Sequence, residues 1–272
     1  MLQLPIEAAP AAARPFRFSP YCGGVGIAVA GAMLIAVTHG LVRFSYGQFM
    51  PQIRAELAIG AGLAGLISGG VFIGACLALI ASPRLTHRFG PRTMVVAAGL
   101  IAAMGFLAVS LASGPLGLAF ALTLTGLGTG LSLLPLCLTV STSVVVHRRS
   151  RCVSTINAGA CIGTVISGPV ALMMLGVWRD VYLTFAVLAL IATFLAYVNV
   201  PQIRPIPPKA SASGPAWLLS GPMRPLLACS FLIGLISSVF WAFGGEVLSD
   251  LHGWKSHQIS AFWVVLGVSG LF

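Results

Sequence analysis

Apolar runs of the length needed to cross a bilayer recur seven times along this chain, and no other feature restricts its folds as far. A helix needs about 18 to 25 such residues to cover roughly 30 Å of hydrocarbon. A closed barrel is the other spanning solution, but its strands alternate apolar with polar residues, and these runs do not alternate. With 58% hydrophobic and 7% charged residues among 272 and a mean hydropathy of +1.00, the chain lacks the polar side chains to cover a water-exposed globule. The reading is an all-α integral membrane protein.

Spans are expected at Gly23–Met50, Ala61–Ala81, Thr93–Leu111, Leu116–Val140, Val153–Leu175, Val181–Val200 and Leu226–Leu248. An eighth run from Ile259 reaches Phe272 after 14 residues, about 21 Å of helix and short of a full crossing. Residues 1–21, with Arg14 and Arg17 among Pro and Ala, read as a cytoplasmic tail, and residues 22–200 as a six-helix unit. Ala28-Val29-Ala30 falls too early in the first run to close a signal peptide, so that run is read as a retained helix. Residues 201–225 hold seven prolines and read as a cytoplasmic linker, leaving 226–272 to begin a second unit.

The net charge of +10 sits in short turns between spans, not in a basic domain, which argues for membrane topology over nucleic acid. Ser82–Arg92, read S-P-R-L-T-H-R-F-G-P-R, and His147–Arg151 form two basic turns. With the amino terminus inside, the tail, these turns and the linker carry eleven cations: Arg14, Arg17, Arg84, Arg88, Arg92, Arg148, Arg149, Arg151, Arg204, Lys209 and Arg224. The other side carries four, Arg43, Arg54, Arg179 and Lys255, a positive-inside pattern that predicts a cytoplasmic amino terminus. The six cysteines show neither C-x-x-C nor Cys/His ligand spacing and read as packing residues, with no disulfide, metal or cofactor implied.

Polar residues inside the spans mark candidate sites. His39, Arg43 and Tyr46 share one stripe of span 1. A guanidinium at the centre of a span costs about 2.5 kcal/mol or more, so Arg43 either lines a wet cavity or snorkels to the outer interface. Span 7 contributes Trp241 and Glu246, the latter lining the same cavity or standing at the outer interface. Gly65-x-x-x-Gly69-Gly70-x-x-x-Gly74 in span 2 is a close-packing pattern, and Gly126, Gly128 and Gly130 alternate with threonines in span 4. Gly168-Pro169 predicts a kink in span 5, and Trp178 and Tyr182 are expected at a membrane interface. Phe44-Ser45-Tyr46-Gly47 is echoed 197 residues later by Trp241-Ala242-Phe243-Gly244, as two parallel repeats would produce.

Six spans, a linker and a restart give a chain that resembles the major facilitator superfamily. The turn after span 2 is similar to the family's G-x-L-a-D-R-x-G-R-R at Leu85, Arg88, Gly90 and Arg92, although Pro83, His87 and Pro91 replace its glycine, aspartate and a cation. Gly168-Pro169 resembles part of an antiporter motif, Trp178-Arg179 the W-R after helix 5, and Arg43-Phe44-Ser45-Tyr46 with Pro51 the R-F-a-Y...P of one poorly characterised bacterial branch. Leu122 stands where proton-coupled members carry an arginine, if Gly126 is the aligned glycine. The resemblance implies a family-type bundle: a six-helix half, a linker, helix 7 and an incomplete helix 8.

It also implies a secondary transporter moving a small solute by alternating access, with His39, Arg43, Tyr46, Trp241 and Glu246 lining the cavity. Arg43 would favour an anionic solute or form an ion pair with an acidic group, Glu246 being the acid that falls within a span, and His39 or Glu246 would titrate if protons couple transport. The expected partners are that solute, protons and the lipid bilayer, without nucleic acid. Two rival readings differ in class. An intramembrane metalloprotease would need H-E-x-x-H, which does not occur, and a serine protease would need G-x-S-G paired with a histidine on another membrane helix, a string that occurs once, at Gly267-Val268-Ser269-Gly270. A truncated chain would retain binding surfaces without completing transport.

Overall fold

The computed structural model describes residues 24–173, 177–203 and 223–270. The expected tail and most of the expected linker, residues 204–222, lie outside the described residues. Eight helices follow in order: α1 Gly24–Leu57, α2 Ala61–Phe89, α3 Pro91–Ser110, α4 Pro115–Ser143, α5 Val146–Met173, α6 Trp178–Asn199, α7 Met223–His252 and α8 Ser256–Ser269. Each of the first seven contains a stretch long and apolar enough to cross a membrane, and α8, at 14 residues, does not. The expected all-α membrane bundle is the observed architecture.

Several helices run further than expected. The basic stretch Ser82–Arg92 is not an extended turn: α2 continues through Phe89, and only Gly90 separates it from α3. Gly90 has φ +85°, a conformation that reverses the chain in one residue and that a side chain would strain. Pro91 then opens α3 at its first position, where a missing N–H costs nothing. The second expected turn, His147–Arg151, likewise belongs to the first turns of α5. Arginine is a good helix former, so cations beyond the apolar run extend a helix into the polar region instead of ending it.

α1 carries on past Pro51 to Leu57 and ends on Ala58 in the left-handed conformation, whose N–H bonds the Arg54 carbonyl. Its middle is irregular: Ala36–Leu41 is π-helical, and the N–H of Val42 reaches the carbonyl of Val37, five residues back.

Close approach of backbones holds the bundle together, because lipid offers little hydrophobic drive between helices. On α1, Ala36 and Gly40 face Gly163 of α5, where any side chain on the glycine would strike the Ala36 carbonyl. Gly126 and Gly130 of α4 meet the backbone of α2 at Val71 and Ala75 in the same way. The largest buried side chains, among them Phe49, Phe106, Tyr182 and Phe185, fill the space between α1, α3 and α6. Trp178 and Tyr182 are therefore core residues, 2% and 0% exposed, and not interface anchors as expected. Tyr182 sits 6.1 Å from Phe49, Phe106 and Phe185, ring centre to ring centre, a spacing at which tilted and edge-on aromatic contacts are favourable.

Candidate functional site

The π-helical turn of α1 presents Thr38 and His39 to the bundle interior. Thr38 is fully buried and ties α1 to α4. Its Oγ1 lies 2.9 Å from the Leu34 carbonyl, 3.1 Å from His39 Nδ1 and 3.3 Å from Ser132 Oγ. Thr129 of α4 donates its hydroxyl to the Thr38 carbonyl. If the single Thr38 proton goes to Leu34, its oxygen accepts from Nδ1–H of His39, which leaves Nε2 of the imidazole as an acceptor toward the cavity.

That cavity, about 40 Å³, is lined by His39, Arg43, Tyr46, Ser68, Thr129 and Trp241 together with apolar neighbours, and has room for more than one water molecule. His39, Arg43 and Trp241 also border a wider cavity of about 410 Å³ that reaches Cys161 and Thr164 on α5 and Leu266 on α8. Of the five residues expected to line a cavity, four are brought together. With α1 extended to Leu57, Arg43 stands well inside the span and faces these cavities. Among the described residues its guanidinium has neither a hydrogen bond nor an ion pair.

Tyr46 contributes its ring, while its hydroxyl donates to the Ala64 carbonyl at 3.0 Å and fastens α1 to the start of α2. Trp241 stacks on Trp263 with centroids 5.5 Å apart and an interplanar angle of 30°, and Phe240 meets both indoles edge-on. Glu246 is on α7, five residues beyond Trp241, and its side chain lies outside the described residues.

At the α2–α3 junction, Leu85 packs partly buried against Ala78, Met94, Ala98 and Leu131. The Arg88 guanidinium lies 5.3 Å from the Phe89 ring and that of Arg92 4.3 Å from the Tyr197 ring of α6. Both cations thus rest on aromatic faces. Gly168 sits where α5 meets α8, with a side chain there reaching 2.7 Å from Val264 and 3.2 Å from the Ser260 carbonyl. α5 runs through Pro169 as helix.

Sequence reasoning missed Thr38 and Ser68 as cavity residues, and it missed Glu56 altogether. The Glu56 carboxylate accepts the Trp178 indole N–H at 2.5 Å and pairs with Arg179 at 3.1 Å. Arg179 also donates to the Ala112 carbonyl at 2.9 Å, so α1, α6 and the connection that follows α3 are joined at one end of the bundle. Thr38 was signalled by a hydroxyl beside an intramembrane histidine; the Glu56 pairing had no local signal.

Comparison with solved structures shows the same fold. The chain is similar to a D-xylose–proton symporter (18% identity, TM-score 0.60, covering 91% of this chain and 66% of that one). It is also similar to the nucleoside transporter NupG (12%, 0.71, 90% and 64%). A bacterial homolog of the human lysosomal transporter Spinster, in an inward-facing and occupied conformation, is a third (13%, 0.67, 89% and 58%). The chain thus spans under two thirds of the length of these structures. No curated protein matches it significantly by sequence. The family profile described as Major Facilitator Superfamily matches residues 32–272, nearly the whole chain. The chain belongs to the major facilitator superfamily.

Proposed function

We propose that the protein takes part in secondary transport of a small, negatively charged solute across the inner membrane, with the solute held between α1 and α7. The observation that carries this reading is that His39 and Arg43 of α1 and Trp241 of α7 border the same two cavities. A binding site between two units of a bundle can be opened to either side by rocking one against the other. Arg43, whose side chain borders both cavities, supports an anionic solute. His39, whose Nδ1 is occupied by Thr38, supports proton coupling through Nε2, and Glu246 is the second candidate for that proton. The cation distribution supports a cytoplasmic amino terminus, residues 22–200 as one half and residues 201–225 as the linker to the next.

The test is a thermal-shift screen of the purified chain against small carboxylates, phosphates and neutral sugars, followed by uptake into proteoliposomes. Anionic hits that vanish in Arg43→Ala support the reading, and hits confined to neutral solutes refute the anionic part. If Arg43→Ala and Glu246→Gln both leave uptake unchanged, the site assignment fails.

A further inference from the structure

The three arginines at the start of α5 do different things. Arg149 turns back and donates from Nε to the Val144 carbonyl at 2.9 Å, closing the connection from α4. Arg148 and Arg151 border a groove of about 280 Å³ between the first turns of α1 and α5, and among the described residues neither guanidinium has a hydrogen-bond or ion-pair partner. Thr155, which donates to the Arg151 carbonyl at 2.9 Å, completes the polar rim. The opposite wall is apolar, made by Val25, Ala28 and Val144. It is continuous with side chains that face outward from the bundle: Val25 is 70% and Val29 50% exposed.

The charge balance of this end is one-sided. The acids that follow residue 24, namely Glu56, Asp180, Glu246 and Asp250, all stand toward the opposite ends of their helices. Two unpaired guanidiniums above an apolar, outward-facing wall match a ligand that is anionic at one end and hydrocarbon at the other. Arginine forks fit phosphate oxygens, and basic pockets between membrane helices hold lipid headgroups.

We propose that this groove binds the phosphate headgroup of an anionic phospholipid, with Arg148 and Arg151 on the phosphate and an acyl chain along Val25 and Val29. The inference does not depend on the transport reading. A soluble phosphate shares the headgroup chemistry but would leave the apolar wall unused, so the membrane lipid is the favoured source.

Native mass spectrometry of the purified 272-residue chain, titrated with phosphatidylglycerol, phosphatidylcholine or inorganic phosphate, tests it. Phosphatidylglycerol is expected to bind the wild type and Arg84→Gln/Arg88→Gln alike. Its affinity should fall about thirtyfold in Arg148→Gln/Arg151→Gln, from the loss of two headgroup cations. Arg148→Lys/Arg151→Lys, which keeps both charges, should recover part of that loss and separates headgroup binding from misfolding. Equal loss in the two glutamine double variants would overturn the proposal, because any cation on this face would then serve. So would phosphatidylcholine binding as well as phosphatidylglycerol, or inorganic phosphate displacing the lipid.

Discussion

The guanidinium of Arg179 lies 3.1 Å from the carboxylate of Glu56, joining the first turn of α6 to the last turn of α1. The pair is half open to its surroundings and by itself is worth at most about 1 kcal/mol. The buried Trp178 indole shares the same carboxylate, and a hydrogen bond to a charged group contributes about 1.5–3 kcal/mol. Glu56→Ala is therefore expected to lower the thermal unfolding midpoint in detergent by several degrees. Glu56→Gln, which keeps an oxygen for the indole, should lose less than half as much, and equal losses would show that the ion pair dominates.

Gly163 of α5 has the Ala36 carbonyl where a side chain would go. Forcing an atom into such a contact costs about 1–3 kcal/mol, so Gly163→Ala should destabilise the bundle measurably. Gly69→Ala on α2, where nothing lies within 4 Å, should leave the midpoint unchanged or slightly raised. Scanning calorimetry of the two variants side by side checks the contrast.

Thr129 supplies a hydroxyl to the Thr38 carbonyl inside the π-helical turn. Thr129→Val keeps the shape and removes the donor, at a cost of about 1 kcal/mol. The effect should be local, with faster amide hydrogen exchange across Ala36–Leu41 and little change in α2 or α6. Uniform acceleration across the bundle would contradict it.

Arg92 rests on Tyr197, coupling α3 to the end of α6. A cation over an aromatic face contributes about 0.5–2 kcal/mol. Arg92→Gln and Tyr197→Leu should each destabilise by that order, and the double variant should lose little more than either alone. Additive losses in that cycle would mean the two side chains do not interact.

The helical spans were legible because their length and composition are set by the membrane, a constraint that acts on every residue of a run. Helix ends were less so. The cations of Ser82–Phe89 and Val146–Arg151 mark where hydrocarbon stops, and the helix itself continues until Gly90 or the Val144–Val145 connection breaks it. Stripe reasoning placed His39, Arg43 and Tyr46 on one face, and the structure puts all three beside a cavity. It did not reveal that the Tyr46 hydroxyl is held by Ala64. Interface chemistry suggested that Trp178 and Tyr182 would sit at the membrane surface, yet Glu56 satisfies the indole and lets that ring be buried. Both outcomes depend on partners distant in sequence, which local patterns do not encode.

The π-helical stretch separates how long α1 is from which way its second half faces. A ring closed five residues back holds one residue more than a regular helical ring, so Ala36–Leu41 behaves as a one-residue insertion absorbed without a bend being required. Deleting a single residue there and closing the helix normally would leave Arg43 and Tyr46 facing as they do now. Regularising it at the same length would instead rotate everything beyond Leu41 by about 100°, one residue's worth of helical phase. The cavity's cation is aimed by a surplus residue in the backbone, one turn before the arginine itself.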